Sequence, residues 1–333
     1  MRFAVVVGTT ETATIEGISA AGANPRAMWH TPSADAEIVT YGRPVRAPAV
    51  PVSPSGCPTP SLVTAAALDT LGVEPTVLDA GLARPTAAPT VDVGVAPGDD
   101  VRAAEPVPDA SAAYETGASI GRAVPEDELL IGESVPGGTT TAMGVLAALG
   151  EPLEVSSSLV ENPIDRKRTV VAEALRASDV ERGDLAGRPI EALGRAGDPV
   201  LATVAGMVAG ATGTDTEVVL AGGSQMLAAA ALARHAGVDA SLAVATTPFV
   251  LGDDSADLRS LADALDVSLI ATDPGFDAVD HVALERYRAG EAKEGVGMGG
   301  ALWAADRAGV PLQAVVERVV DAYERLVGGD GSR

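Results

Sequence analysis

Short apolar runs alternate along the chain with longer segments in which apolar residues recur at helical spacing. The apolar runs predict buried strands at residues 3–7, 76–78, 91–95, 129–131, 217–220, 241–245 and 267–271. The helical spacing predicts helices at residues 61–71, 109–122, 139–149, 164–175, 199–208, 224–235, 256–265, 277–289, 299–308 and 311–326. This alternation predicts an α/β fold, Rossmann-like, whose mainly parallel sheet carries helices on both faces.

No composition shift or internal repeat divides the pattern, so we expect residues 1–333 to form a single α/β domain. The terminal helices, at about 299–327, are predicted to form a small second lobe, and residues 328–333 a flexible tail. Residues 43–60 are proline-rich and predict an extended connection, whereas residues 177–198 read as a mixed surface segment. Ser33 and Asp35 are typical of the start of a helix.

The segment 130–150 carries the clearest binding pattern. It combines a strand end that breaks at Gly132, a turn through Gly137 and Gly138, and an alanine-rich helix beginning at Thr139. The first amides of a helix lack intrahelical partners and bear partial positive charge, so this turn is a candidate anion site. The glycines admit close approach of a ligand, and the hydroxyls of Thr139 and Thr140 add donors.

Two alternatives apply to this segment. Residues 132–139 nearly match the phosphate-loop pattern G-x-x-x-x-G-K-[ST], but Gly138 occupies the lysine position, which disfavours an ATPase. An ordinary strand-to-helix turn explains the glycines equally well. Glu133 lies inside the predicted loop, and a carboxylate beside a phosphate site requires a chemical role or a cationic partner.

A second unusual loop covers residues 290–300. Gly295, Gly297 and Gly300 satisfy G-x-G-x-x-G, but charged, helical residues precede them instead of a strand, which disfavours a dinucleotide site. Glu294 precedes the glycines, and burial in a cleft would raise its pKa towards the range of a general base. The alternative for this loop is a solvated charge cluster at a helix end.

Composition limits the partners and the environment. Apolar residues make up 47% of the chain but aromatic residues only 3%, which predicts a core of Ala, Val and Leu in closely packed elements. The net charge of −23 disfavours binding to nucleic acid and to anionic membranes. Such an acidic, lysine-poor chain is typical of halophilic cytoplasmic proteins. The only lysines are Lys167 and Lys293, and either provides a compact charge suited to a phosphate.

The remaining chemistry is sparse. A single cysteine, Cys57, and three dispersed histidines predict neither an internal disulfide nor a metal site, and we expect no cofactor. The apolar run at the N-terminus is too short for a signal peptide, and no later stretch is long enough to span a membrane. We therefore expect a soluble, cytoplasmic protein.

The two loops and the segments between them resemble the nicotinate-nucleotide–dimethylbenzimidazole phosphoribosyltransferases of cobalamin lower-ligand assembly, most closely an archaeal branch. The family sequence G-E-M-G-I-G-N-T-T is similar to residues 132–140, and its G-E-G-[ST]-G-A loop resembles the segment that begins at Lys293. A lysine that opens a K-x-x-V-x-x-x-A-L helix matches Lys167. Residues 196–223 resemble a further family segment, with Asp198 in place of a glutamate, and residues 273–276 resemble the family's E-P-G-H turn.

The resemblance covers roughly residues 75–310, whereas the family's N-terminal D-H-G and G-V-S elements, which shape the base pocket, are absent from residues 1–75. It implies a homodimer that transfers phosphoribose from nicotinate mononucleotide to a benzimidazole-type base, forming α-ribazole phosphate. The implied catalytic residues are Glu294, as general base, and Glu133. The implied phosphate and ribose ligands are Gly137, Gly138, Thr139, Thr140 and Lys167, with Asp198, Gly295 and Gly297 as further candidates.

Two other functions remain open at this point. The same reaction could use a different acceptor, such as adenine, a phenol or another azole, because the base-pocket segment diverges. Alternatively, the protein could bind a nucleotide without turning it over.

Overall fold

A computed structural model of the protein describes residues 1–19, 25–53, 55–153 and 155–327. The predicted tail, residues 328–333, lies outside the described residues. Within the described part, the strands are β1 (Arg2–Val7), β2 (Thr76–Asp79), β3 (Thr90–Asp92), β4 (Glu128–Ser134), β5 (Glu217–Ala221), β6 (Leu242–Thr246) and β7 (Val267–Ala271). They form one seven-stranded sheet in the order β3-β2-β1-β4-β5-β6-β7, and every neighbouring pair is parallel.

Helices cover both faces of this sheet, so the predicted fold class is confirmed. In the first half of the described chain they are α1 (Pro25–Met28), α2 (Thr31–Tyr41), α3 (Ser61–Leu71), α4 (Ala110–Ala123), α5 (Gly138–Leu149) and α6 (Ile164–Ala177). In the second half they are α7 (Pro189–Ala196), α8 (Pro199–Thr212), α9 (Ser224–His235), α10 (Pro248–Leu251), α11 (Leu258–Ala264), α12 (Val282–Arg288), α13 (Met298–Arg307) and α14 (Leu312–Leu326). No helix of the described chain has the length and apolar character needed to cross a membrane.

Side chains of β1, β4, β5 and β6 alternate between two apolar layers, as the pleat of a buried parallel strand requires. In β1, Ala4 and Val6 join the layer built by α4, α5, α8 and α9, whereas Phe3, Val5 and Val7 join the layer built by α2, α3, α13 and α14. Because aromatic residues are scarce, the core is filled by helices that pack closely against one another. A β-carbon added to Gly117 of α4 would lie 2.3 Å from the Thr203 carbonyl oxygen of α8, so only glycine allows this approach.

Helices α13 and α14 contribute to the second apolar layer, and the small second lobe expected from the terminal segments stays a prediction. Other local predictions are corrected. Residues 177–198 contain α7, whose apolar face packs into the first layer. The expected helix at 277–289 is interrupted between a short 3₁₀ turn, Phe276–Ala278, and α12.

Helix α2 begins at Thr31, so Ser33 and Asp35 lie within the helix and do not start it. Their side chains are buried and bond elsewhere: the Ser33 hydroxyl donates to the Arg84 carbonyl, and Asp35 accepts from Thr59 and Ser134. The short polar side chains hold α2 to loops of the same layer, which sequence spacing alone does not distinguish from capping.

Candidate active site

A pocket lies at the carboxyl ends of β4, β5 and β6, beside the point where the strand order reverses between β1 and β4. Ligands of open parallel sheets bind at such switch points. Three segments supply much of its wall: residues 133–139 after β4, residues 223–225 after β5, and residues 292–296 before α13. The two loops that the sequence singled out therefore line one pocket.

Glu133 faces this pocket from the end of a strand. Strand β4 does not break at Gly132, as we expected, but continues to Ser134, because Gly132, Glu133 and Ser134 pair with Val5, Val6 and Val7 of β1. The Glu133 side chain is only 6% exposed. Burial and then the Asp198 carboxylate raise its pKa to about 8, with smaller contributions from other carboxylates, whereas the Val135 amide lowers it. Glu133 is therefore protonated at neutral pH.

The turn after Glu133 presents backbone amides to the pocket. Gly137 adopts a left-handed conformation (φ = 83°) before α5, and no side chain caps this helix. The amides of Gly138 and Thr140 donate within the turn, to Val135 and Gly137. Those of Gly137 and Thr139 have no acceptor in the described part of the chain. The turn can thus offer at least two donors to an anion.

The two threonines predicted as ligands have different positions in the structure. Thr139 lines the pocket, whereas Thr140 does not and is completely buried. The Thr140 hydroxyl has no hydrogen-bond partner among the described residues. Its placement therefore does not match the expected contact with a phosphate.

A second helix N-terminus meets the first one. Gly223 precedes α9 without a side-chain cap, and the amides of Gly223, Ser224 and Gln225 have no acceptor in the described chain. A β-carbon on Gly138 would lie 2.9 Å from the Gln225 side-chain nitrogen, so the two turns are adjacent. Two uncapped helix N-termini thus converge on one end of the pocket, which favours an anion there. This turn was not predicted from the sequence, although its glycines follow a strand just as those of residues 137–138 do.

Glu294 lies beside the Gly223 turn, just before α13: a β-carbon on Gly223 would lie 3.9 Å from the Cβ of Glu294. Its carboxylate accepts hydrogen bonds from the Gly299 amide (3.0 and 3.1 Å) and the Gly295 amide (3.1 Å). Burial raises the pKa of Glu294 to about 7, although these amides and the Thr246 hydroxyl favour the charged form. Glu294 is a half-buried residue and lines the pocket. Its pKa is therefore close to that of an effective base at neutral pH.

The backbone around Glu294 adopts rare conformations. Ala292 and Val296 have positive φ values of 45° and 55°, and a β-branched residue rarely adopts such angles. Gly295 (φ = 148°) and Gly297 (φ = 76°) also have angles that favour glycine. The loop rests on β4, since the Val296 amide donates to the Glu133 carbonyl at 2.8 Å. Gly295 and Gly297 therefore shape the loop and bring it against β4, and strain of this kind often accompanies functional sites.

The other predicted ligands lie behind the pocket wall. Asp198 caps α8 by accepting from the Leu201 amide (2.8 Å) and is completely buried, so it acts on the pocket through its charge near Glu133. Lys167 is also completely buried and does not line the pocket. Its ammonium donates to the Ser156 carbonyl at 2.8 Å, which differs from the expected direct contact with a phosphate. Lys293, by contrast, lines the pocket.

The structure adds a third carboxyl group and an apolar wall that the sequence did not assign. Asp35 lines the pocket and accepts from the hydroxyls of Thr59 and Ser134, both at 2.7 Å. Burial raises the pKa of Asp35. Apolar residues of the lining come from the proline-rich connection and from Ile18: Ile18, Pro51, Val52, Cys57, Pro58 and Pro60. The divergent N-terminal segment thus supplies an apolar part of the pocket lining.

Comparison with solved structures defines the class of fold. The chain resembles the structure of CobT from Thermus thermophilus with a TM-score of 0.57 and 20% identity, covering 98% of this chain and 86% of that one. A nicotinate-nucleotide–dimethylbenzimidazole phosphoribosyltransferase structure from the same organism gives the same values. At this identity the likeness establishes the fold.

Sequence relatives establish the family. The chain is 56% identical to the UPF0284 protein of Halobacterium salinarum, covering 97% of this chain and 98% of that protein. It is 40% identical to the UPF0284 protein of Pyrococcus furiosus, with 98% of both chains covered. The chain belongs to the UPF0284 family. No model of a known protein family matches it.

Proposed function

We propose that this protein transfers the phosphoribosyl group of nicotinate mononucleotide to a benzimidazole-type base, with Glu294 as the general base. One observation carries the proposal: a carboxyl group whose pKa is raised to about 7 lines the same pocket as two uncapped helix N-termini. Such a pocket offers an anion site for the nucleotide and a proton acceptor for the incoming base. The fold shared with phosphoribosyltransferases of known structure supports this choice.

The nucleotide phosphate would bind between α5 and α9. The amides of Gly137, Thr139, Gly223, Ser224 and Gln225 are available there, and amides at helix N-termini hold phosphate without a metal ion. The ribose would then extend towards Glu133 and Glu294.

The reaction exchanges one glycosidic bond for another. One ring nitrogen of the acceptor attacks C1′ of the ribose while the bond from C1′ to the nicotinate nitrogen breaks. The departing nicotinate takes the bonding electron pair, which neutralises its positively charged ring nitrogen. Glu294 accepts the proton from the other nitrogen of the acceptor, so the new glycoside forms without net positive charge on the base. The leaving group is already activated, because its ring nitrogen is quaternary in the substrate.

Glu133 would act in its protonated form. With a pKa of about 8, it can donate a hydrogen bond to a ribose hydroxyl or to the acceptor at neutral pH. The neighbouring carboxyl groups thus divide into a proton acceptor and a hydrogen-bond donor, a common consequence of unequal environments.

Asp35 and the apolar N-terminal wall would receive the acceptor base. Because this wall comes from the segment that departs from the phosphoribosyltransferase pattern, a different planar nitrogen base is the second candidate acceptor. Incubation with nicotinate mononucleotide and dimethylbenzimidazole tests the proposal. We expect one nicotinate released for each base ribosylated. Release without an acceptor would indicate a hydrolase, and thermal stabilisation by the nucleotide without release would indicate a binding protein.

The assembly and environment belong to the same proposal. We expect a homodimer that acts in the cytoplasm on small molecules, with no role for nucleic acid or membranes. The net charge of −23 and the haloarchaeal relative favour adaptation to high salt. Circular dichroism should show loss of folded structure when KCl falls from molar to millimolar concentration, because salt no longer screens the acidic surface.

A further inference from the structure

Both lysines of the chain direct their ammonium groups to one short loop. Lys167, in α6, donates to the Ser156 carbonyl (2.8 Å) and to the Asn162 side chain (3.2 Å). Lys293 donates to the carbonyls of Ser157 and Leu159, both at 3.1 Å. In a chain whose other basic residues are arginine, both lysines therefore bond to the same loop.

This loop forms part of the pocket wall beside the free amides. Ser156, Ser157 and Ser158 line the pocket, and the Ser156 amide donates to the hydroxyl of Ser224 (2.8 Å), the first residue of α9. The position of the serine loop is thus linked to that of the helix N-terminus.

The cluster also holds two basic side chains and one carboxylate. The ammonium of Lys293 pairs with Asp253 at 3.0 Å, and Asp253 also accepts from the Ser156 hydroxyl at 2.6 Å. Lys167 has no carboxylate within ion-pair distance in the described chain. Burial and the nearby charge of Lys293 lower the pKa of Lys167 to about 7, whereas Asp253 opposes this shift. Lys167 is thus only partly charged at neutral pH, and an anion bound nearby would favour its charged form.

The pocket needs such a source of positive charge. Its lining includes the carboxyl groups of Asp35, Glu133 and Glu294, and the whole chain has a net charge of −23. Lys293 is the one cationic side chain that lines the pocket in the described residues. The lysine cluster is therefore the part of the lining that favours an anionic ligand.

We infer that Lys167 and Lys293 are positioning residues that hold the Ser156–Leu159 loop as a wall of the phosphate site, with Lys293 at its surface and Lys167 behind it. This inference rests on the proposed function for the identity of the nucleotide. It differs from direct neutralisation of the phosphate by Lys167, since that ammonium acts through the Ser156 carbonyl. A compact ammonium suits these separate carbonyls better than the broad, planar guanidinium of arginine.

Lys167→Met and Lys293→Met test the inference, with Arg166→Met, an exposed position on the same helix, as the matched control. We expect both lysine variants to speed amide hydrogen exchange in residues 155–159 and to weaken binding of nicotinate mononucleotide and of inorganic phosphate by about tenfold or more. At saturating nucleotide, kcat should stay within about twofold of the wild-type value, so that the weaker binding appears as a higher KM. The control should match the wild type.

Unchanged exchange in the loop of both variants would overturn the inference. So would faster exchange with undiminished nucleotide and phosphate affinity, because the loop would then have no part in the phosphate site. The binding measurements do not depend on turnover. A wild-type protein that binds the nucleotide through this loop but never releases nicotinate would contradict the transfer reaction while supporting the lysine pair. The two lysines are replaced separately, so either variant gives a result if the other does not fold.

Discussion

Two adjacent parts of the pocket, the phosphate end and the Glu294 end, are built in opposite ways. At the phosphate end, regular strand–turn–helix units expose amides, and glycine alone adopts the left-handed conformation needed before α5. Beside it, the loop that carries Glu294 includes positive φ values at Ala292 and Val296 and is held by contacts with β4 and α13. The first part follows from local geometry, whereas the second depends on the tertiary structure around it.

This difference has a chemical consequence. Amides at a helix N-terminus bind anions in nearly any surrounding, because the donors and the dipole are part of the backbone. A carboxylate becomes a useful base near neutral pH only when burial changes its pKa. We therefore expect variants at the Glu294 end to affect the chemical step, and variants at the amide end to affect binding.

The largest effect is expected for Glu294→Gln. The amide side chain is nearly the same size but cannot accept the proton, so kcat should fall by about 100-fold or more. Nucleotide affinity, measured by calorimetry, should remain because the phosphate end is untouched. Glu285→Gln, an exposed position on the preceding helix, is the matched control. An unchanged kcat would remove Glu294 from the mechanism.

A smaller effect is expected when one amide is removed from the phosphate end. Ser224 is the first residue of α9, a position where proline fits the helix but provides no N–H. Ser224→Pro should raise the KM for the nucleotide by about tenfold or more, the loss of one charge-assisted hydrogen bond. Ser224→Ala keeps the amide and removes only the hydroxyl, so the difference between these variants isolates the amide. Equal KM values would show that the Ser224 amide does not contact the phosphate.

The pH dependence of the rate should follow the Glu294 end. Because Glu294 acts as the ionised carboxylate (pKa about 7) and Glu133 as the protonated acid (pKa about 8), kcat should rise with pH through about 7 and fall again above about 8. At pH 6 only about one tenth of Glu294 is ionised, so kcat should be several-fold below its maximum. Initial rates between pH 5.5 and 8.5 at saturating substrates measure this profile. A rate independent of pH in that range would exclude Glu294 as the titrating base.

The smallest effect concerns stability. The pKa of Glu133 rises from an ordinary 4.5 to about 8 on folding, so the folded protein holds a proton that the unfolded chain releases between these values. This contribution to stability is complete below pH 4.5 and is lost as pH rises through 8. Glu133→Gln does not titrate, so its Tm relative to the wild type should increase by about 2 °C or more between pH 5 and pH 8.5. A constant Tm difference across this range would show that Glu133 has an ordinary pKa.

Much of the fold could be predicted from the apolar pattern. Uninterrupted runs such as residues 3–7 and 267–271 read as buried parallel strands, and the structure places them in the sheet as β1 and β7. The end of β4 was predicted wrongly, because Gly132 suggests a turn unless its pairing with β1 is known. Helix α7 was missed since it lies within a segment of mixed polarity.

The site was less accessible to sequence analysis. Local glycine patterns identified Gly137 and Glu294 as residues of interest, and the structure brings both to one pocket. Asp35 and Ser224 were missed because their place in the pocket depends on chain packing across the sheet. The position of Lys167 could not be predicted either. The same sequence pattern is compatible with an ammonium bonded to a buried carbonyl and with one bonded to a phosphate.

The most direct test of the account is a crystal structure with nicotinate mononucleotide bound. We expect the phosphate to accept hydrogen bonds from the amides at the starts of α5 and α9, and C1′ to lie on the side of the pocket that carries Glu294. A phosphate bound elsewhere, or a Glu294 carboxylate separated from the ribose by protein, would contradict the proposal that these two loops enclose one nucleotide.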